Sequence, residues 1–329
     1  MRQAHWGANG LELVELREAP PLRPGWLRLR VLACGVCGSD LHALRGDARV
    51  SLGLVPGHEI AGARDDSASA LCAVEPRLWC GACAYCRAGE RQLCREGRLL
   101  GVDEPGGFAD FVDAPPECVH AVAPGIDAAV AALAEPLAVC VRALRRAQVV
   151  PTSRVLVLGG GSLGLLAGLL ARDGAAETAV SVRHAHQREA ARGFGVTALA
   201  ESDVAAWARE RAPDVVIETV GGRADTLARA VDCCAPAGRI AVLGLFAPGA
   251  PPLDARTLAL RELHVLGSNT YGTDARGSEF AAAVALLPRY RAELATLLTH
   301  RFELAQVREA FATAADKHTG AIKVVVEPR

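Results

Sequence analysis

Four cysteines fall close together as Cys80-x2-Cys83-x2-Cys86-x7-Cys94, and no other feature constrains the surrounding chain as tightly. Four thiolates at this spacing wrap one tetrahedral zinc ion and leave no open position, so the role read from them is structural. A ferredoxin-type cluster would need a different last spacing followed by proline. Free thiols in a Gly-rich loop would be open to oxidation. The 329-residue chain has 11 cysteines, too sparse for a small disulfide scaffold and odd in number. The expectation is a reducing, cytoplasmic setting in which thiolates serve a metal.

The formal net charge of -1 gives no bulk electrostatic grip on nucleic acid or an anionic membrane, so neither is expected as a partner. A hydrophobic fraction of 51% argues against disorder. The opening residues lack the apolar core and cleavage site of a signal peptide. The longest apolar stretch, between Arg154 and Arg172, carries four glycines near its start and suits a strand, a tight turn and a buried helix better than a membrane span.

Residues 1 to about 125 are short strand-like runs broken by Gly and Pro, such as 26–33 and 106–115, and read as an all-β, metal-rich domain. Residues 128–148 are helical in character, interrupted at Pro136. After Pro151 apolar runs at 155–159, 178–182, 214–220 and 239–245 alternate with helix-like segments, which predicts right-handed βαβ units in a parallel sheet. The tail reads as a helix and then a strand. The expected fold class is α/β.

A second set of donors lies in Cys37-Gly-Ser39-Asp40-Leu-His42 and in Gly57-His58-Glu59. Cys and His are ligands that zinc prefers, and a carboxylate from elsewhere would complete the set. Glu135 stands in a largely apolar segment, where a lone carboxylate is costly to bury unless it is paired or metal-bound. Taken singly, Cys37 or His58 is as readily a core or surface residue, and Glu135 a helix cap; the combination points to a metal. Cys34, Cys72, Cys118, Cys140, Cys233 and Cys234 fit no ligand pattern and read as small buried apolar residues.

These motifs, with the later Gly-Gly-Phe-Ala-Asp-Phe and Val-Leu-Val-Leu-Gly-Gly-Gly-Ser-Leu-Gly runs, come in the order of the zinc-dependent medium-chain dehydrogenases/reductases. The sequence resembles that alcohol dehydrogenase superfamily from end to end, and the sorbitol and threonine dehydrogenase branches most. The resemblance implies a GroES-like β-rich, zinc-binding catalytic domain over residues 1–148 and 289–329 and a dinucleotide-binding Rossmann domain, a doubly wound parallel sheet, over 149–288, with two zinc ions per subunit. It places Cys37, His58 and Glu135 at the catalytic zinc, Glu59 as a close or exchanging ligand, and Asp40 behind His58 to orient it. It also implies a homodimer or homotetramer. One departure stands out: residues 60–79 lack the family's usual Val-rich strand, as if a hairpin were trimmed.

Gly159-x-Gly161-x-x-Gly164 follows a predicted strand and opens a predicted helix, the context in which this pattern is a dinucleotide fingerprint. Gly159, Gly161, Ser162, Leu163 and Gly164 would cradle the pyrophosphate at the helix N-terminus. The second strand lacks the terminal Asp or Glu that accepts from a ribose 2′-hydroxyl; Arg183, His184 and Arg188 follow it instead. A guanidinium suits a 2′-phosphate, so NADP is expected over NAD, with NAD remaining open. By analogy, residues near Leu245, Ser268 and Asn269 meet the nicotinamide end.

The chemistry expected is hydride transfer between NADP(H) and a secondary alcohol or ketone, with zinc as the Lewis acid. Ser39 is placed to accept the substrate hydroxyl proton, and the resemblance extends a relay to His42. The substrate suggested is polar, a polyol, sugar or cyclitol. Rival readings are a zinc-free reductase of the same superfamily, an NAD-dependent enzyme, and a non-catalytic NADP-binding protein on the same scaffold.

Overall fold

A computed structural model describes residues 1–47, 50–64, 70–249 and 253–328. The chain divides into two compact units, Met1–Glu135 with Gly272–Arg329, and Pro136–Tyr271. The boundaries differ from the sequence expectation at both ends. The first falls inside the helix Ala134–Arg146 rather than after it. The second falls earlier because 272–288 is tied to the first unit: Thr273 N donates to Gly89 O at 3.0 Å, and the Phe280 ring lies 4.8 Å from that of His120.

The first unit is built on a seven-stranded sheet. Its centre is Leu27–Gly35, paired antiparallel with Glu59–Arg64 on one side and Lys323–Glu327 on the other. Glu59–Arg64 and Leu71–Val74 form an antiparallel pair from Ile60↔Val74 to Ala63↔Leu71. The hairpin expected to be trimmed therefore keeps both arms, and its connection at 65–69 lies outside the described residues. Of the run at 106–115 only Phe111–Ala114 is a strand, alternating half-buried and buried. The strand Leu298–Glu303, which the sequence did not signal, pairs parallel with Lys323–Glu327. The tail helix Val307–Ala315 packs Phe311 edge-on against Trp6 and Phe108, at centroid distances of 6.1 and 5.3 Å, in the core of this unit. Asp127 caps the helix Ala128–Ala132 by accepting from Ala129 N at 3.0 Å. That helix ends at Leu133, and a new one starts at Ala134 with Pro136 in its first turn, where proline is tolerated.

The second unit alternates strand and helix as expected. Its elements are β1 (Arg154–Leu158), α1 (Ser162–Gly174), β2 (Glu177–Val182), α2 (Ala185–Gly193), β3 (Thr197–Ala200), α3 (Val204–Arg211), β4 (Val215–Glu218), α4 (Thr226–Cys233), β5 (Arg239–Val242), α5 (Ala255–Leu260) and β6 (His264–Gly267). The strands form one parallel sheet in the order 3-2-1-4-5-6, the doubly wound order of dinucleotide-binding folds. Strands β1, β2 and β4 are almost wholly buried, as a sheet covered on both faces requires. Among the described residues no helix is long and apolar enough to cross a membrane.

Candidate active site

The cysteine lobe is closed by a short antiparallel pair, Arg77–Leu78 with Arg98–Leu99. The ligand atoms of Cys80, Cys83, Cys86 and Cys94 all lie within 4.8 Å of one another. The Cys83–Cys86 and Cys80–Cys86 sulfur separations are 3.5 and 3.9 Å. Sulfurs on a zinc ion at about 2.3 Å sit about 3.8 Å apart, so the lobe fits that metal. Backbone N–H groups of Cys83, Cys86 and Cys80 point at the sulfurs of Cys80, Cys83 and Cys94. The N–H of Cys86 heads the contacts that pull the Cys83 thiol down to about 6. These are donors arranged for thiolates.

The second cluster is assembled within the first unit. Cys37 precedes the helix Gly38–Leu44, and Asp40 Oδ2 accepts from Cys37 N at 2.9 Å, fixing the turn. Ser39, one residue into that helix, places its hydroxyl 3.3 Å from His58 Nε2. His58 is buried, and its Nδ1 lies 3.7 Å from Asp40 Oδ1, too far for a hydrogen bond but close enough for their charges to couple. Burial alone would push the imidazole down. The negative charges of Asp40, Cys37 and Glu135 and a hydrogen bond with Cys37 outweigh it and hold His58 well above its usual range. Glu135 is also buried, and burial raises its carboxyl to about 7 against the opposing pull of His58.

Cys37, His58 and Glu135 thus act on one another electrostatically, with His58 and Glu135 buried and Cys37 half-buried, and a thiolate, an imidazole and a carboxylate are a donor set for zinc. The unpartnered Nδ1 of His58 and its Nε2 aimed at the Ser39 side are consistent with a ring waiting for a second partner. Among the described residues, however, only the lobe cysteines bring three or more donors within 4.8 Å of one another. Glu59 is occupied: Lys323 Nζ lies 2.6 and 2.7 Å from its two oxygens. The pair comes from strands on opposite sides of Leu27–Gly35. It meets beside Gly35, where a Cβ would fall 2.0 Å from Glu59 Oε2. His42 is half-exposed, its Nδ1 3.2 Å from Asp47 Oδ2.

Lys323 is a site residue the sequence reading missed. The signal was present: Lys317 and Lys323 are the two lysines of an Arg-rich chain, and Lys323 opens an apolar strand. A buried ammonium there must have an acid.

In the second unit the fingerprint residues form the turn from β1 into α1. Gly159 has φ of +111°, and a Cβ on Gly164 would fall 1.8 Å from Gly159 O, so the turn requires glycine at both. Ser162 and Leu163 open α1. Gln187, buried in the first turn of α2, accepts from the backbone N–H of Arg183 and His184 through Oε1 at 3.0 and 3.2 Å, shaping the turn after β2. Arg188 follows it on α2. Leu245 is exposed beyond β5; just after β6, Ser268 is buried with its hydroxyl unpartnered, and Asn269 is exposed. A second missed residue is Glu218, fully buried at the end of β4. Its Oε1 accepts from Val220 N, Gly221 N and Thr226 Oγ1, holding the turn that follows. The neighbouring Thr219 hydroxyl donates to Leu158 O at 2.8 Å, just before the Gly159 turn.

One unit carries a parallel sheet with a glycine-rich first turn and the other a four-cysteine lobe with a Cys–His–Glu cluster, the features of the nucleotide-dependent, zinc-binding class of oxidoreductases. Residues 23–124 match the alcohol dehydrogenase GroES-like domain and 162–289 the zinc-binding dehydrogenase domain. Over 98% of its length the chain is 30% identical to 2-dehydro-3-deoxy-L-galactonate 5-dehydrogenase of Pseudoalteromonas atlantica, of which 96% is covered. It is 34% identical over 97% of its length to L-threonine 3-dehydrogenase of Saccharopolyspora erythraea, again with 96% covered. A crystal structure of a Sinorhizobium meliloti protein assigned as a zinc-binding dehydrogenase, bound to NADP, superposes with a TM-score of 0.88 at 29% identity over 99% of both chains. The chain belongs to the zinc-dependent medium-chain alcohol dehydrogenase family and is an oxidoreductase of that class.

Proposed function

We propose that this protein is a zinc-dependent dehydrogenase that interconverts a secondary alcohol and its ketone with NADP(H) in preference to NAD(H). The substrate class is a polar, several-hydroxyl molecule, a polyol, sugar or sugar acid. The observation that carries the reading is the buried His58, which presents one ring nitrogen to Ser39 and the other to Asp40, with the charges of Cys37 and Glu135 acting on the same ring. Cys37, His58 and Glu135 would hold the catalytic ion, and the lobe cysteines a second, structural one. When bound, zinc supplies Lewis acidity to the substrate oxygen and the nicotinamide supplies the hydride acceptor.

The protein's own contribution is arrangement. Asp40 fixes the Cys37 turn and orients His58 through charge. Ser39 is held beside His58, placed to take the proton of a substrate hydroxyl, and His42 is half-exposed near Asp47 in a position to pass a proton to water. Lys323 holds its ammonium against Glu59, so that this carboxylate adds no unbalanced negative charge to those of Asp40, Cys37 and Glu135. Relatives named for 2-dehydro-3-deoxy-L-galactonate and L-idonate oxidation support the polar substrate class, and the NADP-bound neighbour supports the cofactor.

The test is reduction of NADP and of NAD by a panel of secondary polyols and sugar acids, with and without a chelator. The proposal expects turnover with at least one such alcohol, faster with NADP at limiting cofactor and abolished by metal removal. Turnover that survives complete zinc removal would contradict it.

A further inference from the structure

The 2′-phosphate reading rests on Arg183, the residue that follows β2, and the structure gives that guanidinium a partner. In the parallel pair β2–β3 the register matches Val182 with Ala200. The residues just past the two strand ends are Arg183 and Glu201, so the two stand side by side at the carboxyl edge of the sheet. Dinucleotides bind along this edge in doubly wound folds. Their side chains meet: Glu201 Oε1 accepts from Arg183 Nη2 at 2.9 Å and Nε at 3.3 Å. Both side chains are exposed, at 69% and 43%, so the pair is open to a ligand and is not locked in the core.

Building on the NADP reading, we infer that Glu201 is a specificity-determining residue, a carboxylate on the neighbouring strand that holds Arg183 and opposes a 2′-phosphate. A phosphate approaching Arg183 must displace or share with Glu201, and it does so against a negative charge a few ångströms away. A ribose with a free 2′-hydroxyl meets no such opposition. The acidic residue missing from the end of β2 is thus supplied from the end of β3, in contact with the arginine instead of in place of it. The consequence is moderated discrimination: the protein uses NADP but does not exclude NAD, and Glu201 sets how far apart the two affinities lie. Gln187 keeps this geometry by tying the backbone N–H of Arg183 to the first turn of α2.

The experiment measures Kd of NADPH and NADH by fluorescence on the full chain without substrate, and of 2′,5′-ADP against 5′-ADP by calorimetry. It uses wild type, Glu201→Gln and Arg183→Gln. Both positions are exposed, and circular dichroism checks that each variant keeps the wild-type fold. Glu201→Gln is expected to tighten NADPH and 2′,5′-ADP by about three- to tenfold, more at low salt, and to leave NADH and 5′-ADP within about twofold. Arg183→Gln is expected to weaken NADPH by about tenfold or more with NADH little changed. If Arg183→Gln weakens NADPH while Glu201→Gln moves neither cofactor, the role of Glu201 is overturned and the NADP reading stands. If Arg183→Gln leaves the NADPH to NADH ratio where it was, the NADP reading falls and takes this inference with it.

Discussion

At the scale of single residues the account turns on a few buried groups whose partners decide their chemistry. Ser39 sets its hydroxyl 3.3 Å from His58 Nε2, and Ser39→Ala removes that hydroxyl alone, so it is expected to lower turnover by about 10²–10⁴-fold. Zinc content and NADPH affinity should stay at wild-type values; unchanged turnover would remove the hydroxyl from the reaction. The Lys323–Glu59 pair is buried on both sides. Removing one member leaves the other charged and unpaired in the sheet, which costs about 3–5 kcal/mol. Lys323→Met should therefore lower the urea midpoint markedly, and the double variant Glu59→Gln with Lys323→Met should recover much of the loss. The cluster around Cys37 and His58 and the glycine turn could be proposed from sequence because each sits in a short local pattern. Lys323 against Glu59, and Arg183 against Glu201, were not: each contact depends on which strand lies beside which, and in what register. The motifs say nothing about that.

At the scale of elements, the segment that delivers Glu135 is anchored by its start. Asp127 caps the helix Ala128–Ala132 and binds Arg301 at 2.9 Å, while Arg301 also reaches Glu327 at 2.6 Å. Losing the cap in Asp127→Ala should cost about 1 kcal/mol, read from thermal or urea unfolding. The pH dependence has a definite sign. Burial alone would raise the Asp127 carboxyl, but the hydrogen bond and charge of Arg301 and the Ala129 N–H hold it below its ordinary 3.8. Folded protein then binds this proton less readily than unfolded chain. The stabilisation is complete above about pH 4 and drains away as the pH falls through the lowered value. Asp127→Asn should be less stable at neutral pH and lose less on acidification; an identical acid limb in both proteins would remove Asp127 from it. The βαβ alternation was readable because apolar runs and helix faces recur at fixed spacing. The strand Leu298–Glu303 was not, since its alternating half-buried and exposed pattern offers few apolar residues and its place comes from pairing with Lys323–Glu327.

For the whole molecule, the order of motifs along the chain carried the family, and both units form as that order implies. What the order did not carry was where one unit ends. The helix Ala134–Arg146 is one continuous element in the structure, yet Glu135 belongs with the β-rich unit and Pro136 with the sheet-bearing one. Pro136 marks an interruption of helical character in the sequence, but a proline in a first turn does not say to which unit each side belongs; tertiary packing decides that. The structural lobe should be separable from catalysis: Cys86→Ser is expected to loosen residues 80–94, seen as faster proteolysis there, before it alters the Cys37–His58 pocket. Proteolysis as slow as in wild type would mean that the lobe is held by something other than metal.

The most direct measurement is zinc per subunit by elemental analysis in wild type, Cys37→Ser and Cys86→Ser. The account predicts two in the wild type and one in each variant, with alcohol oxidation lost in Cys37→Ser. A wild-type value of one that Cys37→Ser leaves unchanged would contradict it.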